Sequence, residues 1–355
     1  MVKVESCVAK TGSKCRQEQH HGQSKEALAP DESFLRNAMN QHIILAGGSG
    51  FLGRVLAKHF VASGHEVVIL TRQSNPSDCG VREVAWDGDT LGDWARELEG
   101  AAAVINLAGR SVNCRYDARN RREILDSRIH PTCVLGEAIA RCANPPRAWL
   151  NASTATIYKH TFGPAWDEAG DVGGTPAVKD EFSVEVATAW ERAFAEARTP
   201  ATRKIVLRSA MVLGRGANSV FPTLRRLVRL GLGGRMGDGK QFVSWMHEAD
   251  FCRAIDWLLE HDEFSGVVNL AAPNPVTNAE MMSTLCKVCR VPFGLPATRW
   301  MLEVGAFFLR TETELILKSR RVTPGRLLAS GFQFRFPELR GATRELDGQT
   351  GRTSA

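Results

Sequence analysis

The chain has 355 residues, of which 43% are hydrophobic and 24% charged, with a formal net charge of +6. This is the composition of an ordinary globular protein, long enough for one large domain and a smaller lobe. No apolar run approaches the roughly 20 residues that span a bilayer, so no membrane partner is expected. Nucleic-acid binding would need a basic stripe together with a matching fold, and the sequence shows no such fold.

Residues 1–40 are polar and show little periodicity, so they read as a disordered or loosely attached tail. The first 25 residues hold no apolar core of a secretory signal. Order begins at HIILA, residues 42–46, a short β-branched run that predicts a buried strand. FLGRVLAKHFVA follows with helical spacing and stops at Ser63-Gly64. EVVILTR, AAAVINLAG, RAWLNASTA, RKIVLRSAMVLG and GVVNLAA read as further strands, separated by helical patterns. Continuous apolar strands alternating with helices predict an α/β fold: a doubly wound parallel sheet covered on both faces.

Two stretches interrupt the alternation. Residues 216–243 carry a basic helical pattern and a glycine-rich loop, and residues 273–345 carry helices and Pro/Gly turns. The expected organisation is a Rossmann-type domain from 41–215 plus 244–272. A smaller, mainly helical lobe from 216–243 plus 273–345 would lie over the ligand-binding edge of the sheet, and 346–355 would be a flexible end. Nine cysteines, odd in number and scattered, read as reduced thiols in a cytoplasmic protein. Cys286 and Cys289 form a single CxxC without a second half, so they read as helix residues rather than a zinc site.

The loop AGGSGFLG, residues 46–53, lies between the first strand and the first helix. It fits both Gly48-x-Gly50-x-x-Gly53 and Gly47-x-x-Gly50-x-x-Gly53. In this context it predicts dinucleotide binding: a tight turn, backbone close to a pyrophosphate, and a helix N-terminus aimed at negative charge. Thr71 and Arg72 end the second strand, where an acid would select NAD, and no acid follows until Asp78. A guanidinium fork and a hydroxyl suit a 2′-phosphate, so NADP(H) is favoured over NAD(H).

With the motifs GGSGFLG, INLAG (105–109), NRREILDSRI (120–129), STATIY (153–158), VLRSAMVLGRG (206–216), GLGGRMGDGKQFVSWMHEAD (231–250) and RLLASGFQFRFPEL (326–339), the chain resembles the extended short-chain dehydrogenase/reductases. Within that superfamily it is similar to an NAD-dependent epimerase/dehydratase branch with a C-terminal extension. The resemblance covers about residues 42–345. It implies that Gly47, Gly50, Phe51, Leu52 and Gly53 surround the pyrophosphate and that Thr71 and Arg72 hold the adenosine phosphate. It places Leu107, Ala108 and Gly109 against the adenosine and ribose, Glu123 and Arg128 on a helix facing the cofactor, and Val212 beside the nicotinamide.

The superfamily's usual catalyst is a Tyr-x-x-x-Lys pair with a Ser or Thr, in which the lysine lowers the tyrosine pKa for proton transfer. The resemblance puts Thr154 at the hydroxyl position. The chain has two tyrosines; Tyr116 is followed four residues on by Asn120, and Tyr158 by Phe162. On the helix that would carry the pair, one register gives Phe182 and Val186 and the other Ser183 and Ala187. Cys114 and Tyr116, in the loop after the fourth strand, are substitute donors with Arg115 beside them. His247 reads as a lobe anchor before a base, and Asp250 as a local cap or pairing group. Arg225, Arg226 and Arg229 read as a solvated helix face, with a substrate anion site as the alternative. The expectation is an NADP(H)-dependent oxidoreductase or epimerase/dehydratase acting on a small anionic or sugar-like molecule, set against a non-catalytic NADP(H)-binding protein.

Overall fold

The computed structural model describes residues 41–73, 81–216, 218–298, 300–301 and 314–348. The expected tail lies outside them, as do Cys7, Cys15, Cys79 and residues 349–355. The strands in chain order are β1 (His42–Ala46), β2 (Glu66–Thr71), β3 (Arg82–Ala85), β4 (Ala103–Asn106), β5 (Ala148–Thr154), β6 (Arg203–Ser209), β7 (Met211–Leu213), β8 (Phe242–Val243), β9 (Trp245–His247), β10 (Gly266–Leu270) and β11 (Val276–Thr277). The helices are α1 (Phe51–Ala62), α2 (Ala118–Arg141), α3 (Glu181–Glu196), α4 (Val220–Arg229), α5 (Glu248–Glu260), α6 (Asn278–Val288), the single turn α7 (Glu314–Leu317), α8 (Gly325–Ala329) and α9 (Leu339–Leu346).

Seven strands form one sheet in the order β3-β2-β1-β4-β5-β6-β10, and every pairing is parallel. The reason is visible in β1. Ile43 and Leu45 point to one face and join Leu56 and Phe60 of α1 with Phe251 and Ile255 of α5. Ile44 and Ala46 point to the other and join Val134, Leu135 and Ile139 of α2 with Trp149 and Phe194. A strand apolar on both faces needs a helix on each side. α2 continues through Pro131, and the Thr132 hydroxyl donates to the Arg128 carbonyl at 2.7 Å within it.

Three features depart from the sequence pattern. β3 has only half-buried and exposed residues at the sheet edge, so it carries no buried apolar run to reveal it. The stretch 203–213 is two strands, not one. Ala210 donates to the Leu270 carbonyl at 2.9 Å, and β7 then leaves the large sheet to pair with β9. The packed chain also passes residue 345: Leu346 is buried, and the Asp347 carboxylate meets Arg225 at 2.6 Å and Arg229 at 3.3 Å.

A separate apolar cluster gathers Phe221 and Val228 of α4, Met281, Met282 and Leu285 of α6, and Leu339, Ala342 and Leu346 of α9 around Leu213 and Trp245. Among the described residues, no helix is long and apolar enough to cross a membrane.

Candidate functional site

β1 and β4 are neighbours, yet the helices that follow them, α1 and α2, pack on opposite faces of the sheet. Their carboxyl ends therefore diverge and leave a crevice, the place where open α/β sheets bind ligands. A cavity of about 650 Å³ occupies it. Gly47, Ser49 and Gly50 line it from the first turn, Thr71 and Arg72 from the end of β2, Leu107, Ala108 and Gly109 from the end of β4, and Glu123, Ser127 and His130 from α2.

The glycines divide by what fixes them. Gly47 has φ +70°, and a Cβ there would lie 2.7 Å from the Ala108 Cα, so the turn itself demands glycine. A Cβ on Gly53 would lie 2.3 Å from the Gly48 Cα, where helix and turn pack together. Gly50 is different. It caps α1 with φ −74° and ψ 179°, and the nearest atom to an added Cβ is the Gly47 carbonyl at 3.9 Å. The protein itself leaves room for a side chain there, and the room opens on the cavity. Bare backbone at a helix N-terminus beside empty space is a cradle for an anion, so these residues fit a dinucleotide pyrophosphate.

Around this cradle, Arg72 is exposed on the cavity wall, whereas Thr71 is buried and its hydroxyl donates to the Gln73 carbonyl at 3.3 Å. Glu123 is held between Arg110 and Arg119. The two guanidinium partners, Arg119 first, lower its carboxyl below the usual range. Arg128 does not line the cavity. It lies behind Gly109, donating to the Ile124 and Arg110 carbonyls at 2.8 and 3.0 Å over the Trp190 ring. Burial pushes its guanidinium down to about 10. In this position it braces the 107–110 turn directly behind the cavity lining. The Phe51 ring comes within 2.7 Å of where a Gly216 Cβ would stand, at the turn after β7. Leu52 packs against the α1/α5 face of the core, and Val212 is buried there too.

Sequence reasoning missed Asp87 and Asp89, which enter the cavity just after β3. Asp87 accepts from the Thr90 hydroxyl at 2.5 Å and from the Thr90 and Asp89 amides, and these bonds lower its pKa. Asp89 lies 3.0 Å from His130 Nδ1. The unrecognised edge strand hid both acids.

The Thr154 hydroxyl stands at the end of β5, accepting from the Thr156 amide at 3.1 Å. Neighbouring Ser153 faces elsewhere and donates to Glu191 at 2.6 Å. Glu191 also grips Arg208 at 2.7 and 2.8 Å. Tyr158 is buried, donates to Asn269 at 2.8 Å and accepts from Arg208 at 3.0 Å; burial raises its pKa. Cys114 and Tyr116 pack with Phe182 and Val186 of α3, with the Tyr116 ring 4.9 Å from that of Phe182. The loop after β4 is thus brought to the first turn of the helix where the superfamily's tyrosine would be sought.

Lobe residues find distant partners. His247 is buried: its Nδ1 accepts from the Ala249 amide at 3.0 Å and its Nε2 lies 3.0 Å from Glu345. Burial lowers its pKa. Asp250 pairs locally, as expected, with Arg253 at 3.2 Å, and it also accepts from the Arg335 and Phe336 amides at 2.7 and 2.8 Å, contacts about 85 residues away that the sequence did not reveal. Two of the three arginines once considered for a substrate anion, Arg225 and Arg229, are spent on Asp347. Cys286 is buried in α6 and Cys289 caps it; the described cysteines are free thiols.

Comparison with known proteins bears directly on this cleft. The NAD dependent epimerase/dehydratase family matches residues 43–271. This chain belongs to that family. Residues 297–346 match a domain of unknown function, DUF1731, that follows the epimerase/dehydratase segment. Epimerase family protein SDR39U1 of Homo sapiens is 33% identical over 311 residues, covering 86% of this chain and 99% of its own length. A crystal structure of human SDR39U1, isoform 2, with NADPH superposes with a TM-score of 0.76 at 32% identity, covering 87% of this chain and 99% of that one. The nucleoside-diphosphate sugar epimerase from Corynebacterium glutamicum gives 0.69 at 27% identity, covering 88% of this chain and 59% of that chain. This epimerase/dehydratase family member therefore carries an NAD(P)-binding fold of the extended short-chain dehydrogenase/reductase type.

Proposed function

We propose that this family member binds NADP(H) in preference to NAD(H) and uses it as an oxidoreductase or epimerase/dehydratase on a small anionic or sugar-like molecule. The carrying observation is the cleft itself: a glycine that nothing in the protein requires, at a helix N-terminus, in a cavity whose β2 end presents Arg72. The NADPH-bound human relative supports the cofactor reading, and the sugar-nucleotide epimerase supports the substrate class. Gly47, Gly50 and the Ala108–Gly109 turn would hold the diphosphate and ribose, and Arg72 the 2′-phosphate. When bound, the nicotinamide supplies hydride transfer. Thr154, at the end of β5, orients a substrate oxygen, and Tyr116 with Cys114 flanks the first turn of α3 as proton donor.

A second reading, a non-catalytic NADP(H)-binding protein, is favoured by α3. It carries Phe182 and Val186, or Ser183 and Ala187, where a Tyr-x-x-x-Lys pair would stand. Loss of general acid–base help is worth about 10²- to 10⁴-fold, which slows chemistry without abolishing it. Calorimetry with NADPH and NADH tests the cofactor half. Arg72→Gln should lower NADPH affinity by about 10- to 100-fold, as expected for charge-assisted hydrogen bonds, and leave NADH nearly unchanged. Equal affinity for both in the parent protein refutes the preference. NADPH turnover on a panel of carbonyl and nucleotide-sugar compounds separates the two readings, and Tyr116→Phe with unchanged turnover would remove that donor.

A further inference from the structure

The C-terminal segment contributes a charged group deep inside the Rossmann half of the molecule. Lys318 is 2% exposed and Asp180 is 0% exposed. The Lys318 ammonium lies 2.5 Å from the Asp180 carboxylate and donates to the Thr156 carbonyl at 2.6 Å. Asp180 precedes the first turn of α3 and also accepts from the Thr175 amide at 2.5 Å. The next residue continues the seam: Ser319 donates its amide to His160 at 2.9 Å and its hydroxyl to the Thr161 carbonyl at 2.5 Å. The loop leaving β5 is therefore tied at several points to a segment about 160 residues further along the chain.

Burying an ammonium and a carboxylate is expensive in desolvation, and a well-packed apolar pair of similar volume often serves stability as well or better. A charge kept in such a place acts on what it touches. Lys318 touches the backbone of Thr156, whose amide and hydroxyl both contact the Thr154 hydroxyl at 3.1 Å. Where Thr154 stands follows from register. Asn106 of β4 pairs with Asn151 of β5, so Thr154, three residues further on, stands beside the level of Gly109, whose turn lines the cleft, one strand over from the lining itself. The adenosine side of the cleft is at β2. The opposite half of a dinucleotide must then cross β4 toward β5 and Thr154.

We propose that Lys318 is a positioning residue: paired with Asp180, it holds the Thr154–Thr156 turn in the geometry that receives the nicotinamide half of the cofactor. The C-terminal domain then has a stated task, which is to organise the cofactor site of the preceding domain from within. This rests on the NADP(H) reading above.

The test uses the full chain and two probes. NADPH reaches both halves of the cleft, whereas adenosine 2′,5′-bisphosphate reaches the adenosine half alone. In the neutral double variant Asp180→Asn/Lys318→Met, checked for folding by circular dichroism, NADPH affinity should fall at least tenfold while the bisphosphate stays within twofold. Equal loss of both, as a general structural defect would give, overturns the proposal, and so does no loss of either. If the double variant does not fold, Lys318→Arg keeps the charge but changes its shape, and the same affinity ratio decides. A parent protein that binds neither probe would bring down the NADP(H) reading and this inference with it. A parent that binds both, with a ratio unmoved by the variants, refutes this inference alone.

Discussion

Gly50→Ala is the sharpest probe of the cleft, because the structure predicts a split between stability and binding. The added methyl meets no protein atom closer than 3.9 Å, and φ −74°, ψ 179° is an ordinary extended conformation for alanine. Alanine is a poorer N-cap than glycine, a cost of about 0.5–1 kcal/mol. It also restricts the unfolded chain, a gain of about 0.4–1 kcal/mol. The two terms nearly cancel, so denaturant midpoints should place the variant within about 0.5 kcal/mol of the parent. The methyl nevertheless projects into the space over the α1 N-terminus. NADPH measured by calorimetry should therefore bind at least tenfold more weakly, about 1.4 kcal/mol. Gly53→Ala is the contrast: its Cβ would stand 2.3 Å from the Gly48 Cα, so stability and binding should fall together. Unchanged NADPH affinity in Gly50→Ala would show that no diphosphate lies over this turn. A stability loss above about 2 kcal/mol would show that the turn is constrained by the protein rather than by a ligand.

Two further predictions concern stability. Arg208→Met leaves the half-buried Glu191 without its guanidinium partner and should cost about 3 kcal/mol, the low end for a buried pair, with Glu191→Gln/Arg208→Met recovering much of the loss; equal melting temperatures for parent and Arg208→Met would refute the pairing. His65, His160 and His247 are all held below the ordinary value of 6.5, chiefly by burial. The unfolded chain then takes up protons before the folded one does, so stability is full above about pH 6.5 and is lost as pH falls from there through the folded-state values. Denaturant titrations at pH 7.5 and 5.5 check the sign, and a protein more stable at 5.5 would contradict it.

Much of the sheet was legible because its strands are buried on both faces and their apolar runs announce themselves; β1, β2, β4, β5 and β10 are of this kind. β3 escaped because a sheet edge needs no such run, and Asp87 and Asp89, which hang from it into the cavity, escaped with it. β6 and β7 looked like one strand because an exchange of hydrogen-bonding partner at Ala210 leaves no mark on side-chain pattern. The glycine loop was legible as a binding site, but which of its glycines serve the turn and which leave room for a ligand was not. That distinction depends on Ala108 and Gly48 lying close in space.

The sequence by itself determined the α/β alternation, the strand–glycine–helix cradle and the cationic end of β2, because each arises from neighbours along the chain. Only the tertiary structure decided that Arg225 and Arg229 answer Asp347, that Asp250 clamps the backbone at 335–336, and that Lys318 lies against Asp180 and Thr156. Charges conceal their partners in a sequence. Coulomb attraction and desolvation act through space, between groups some 80 to 160 residues apart that only the folded sheet brings within hydrogen-bond reach.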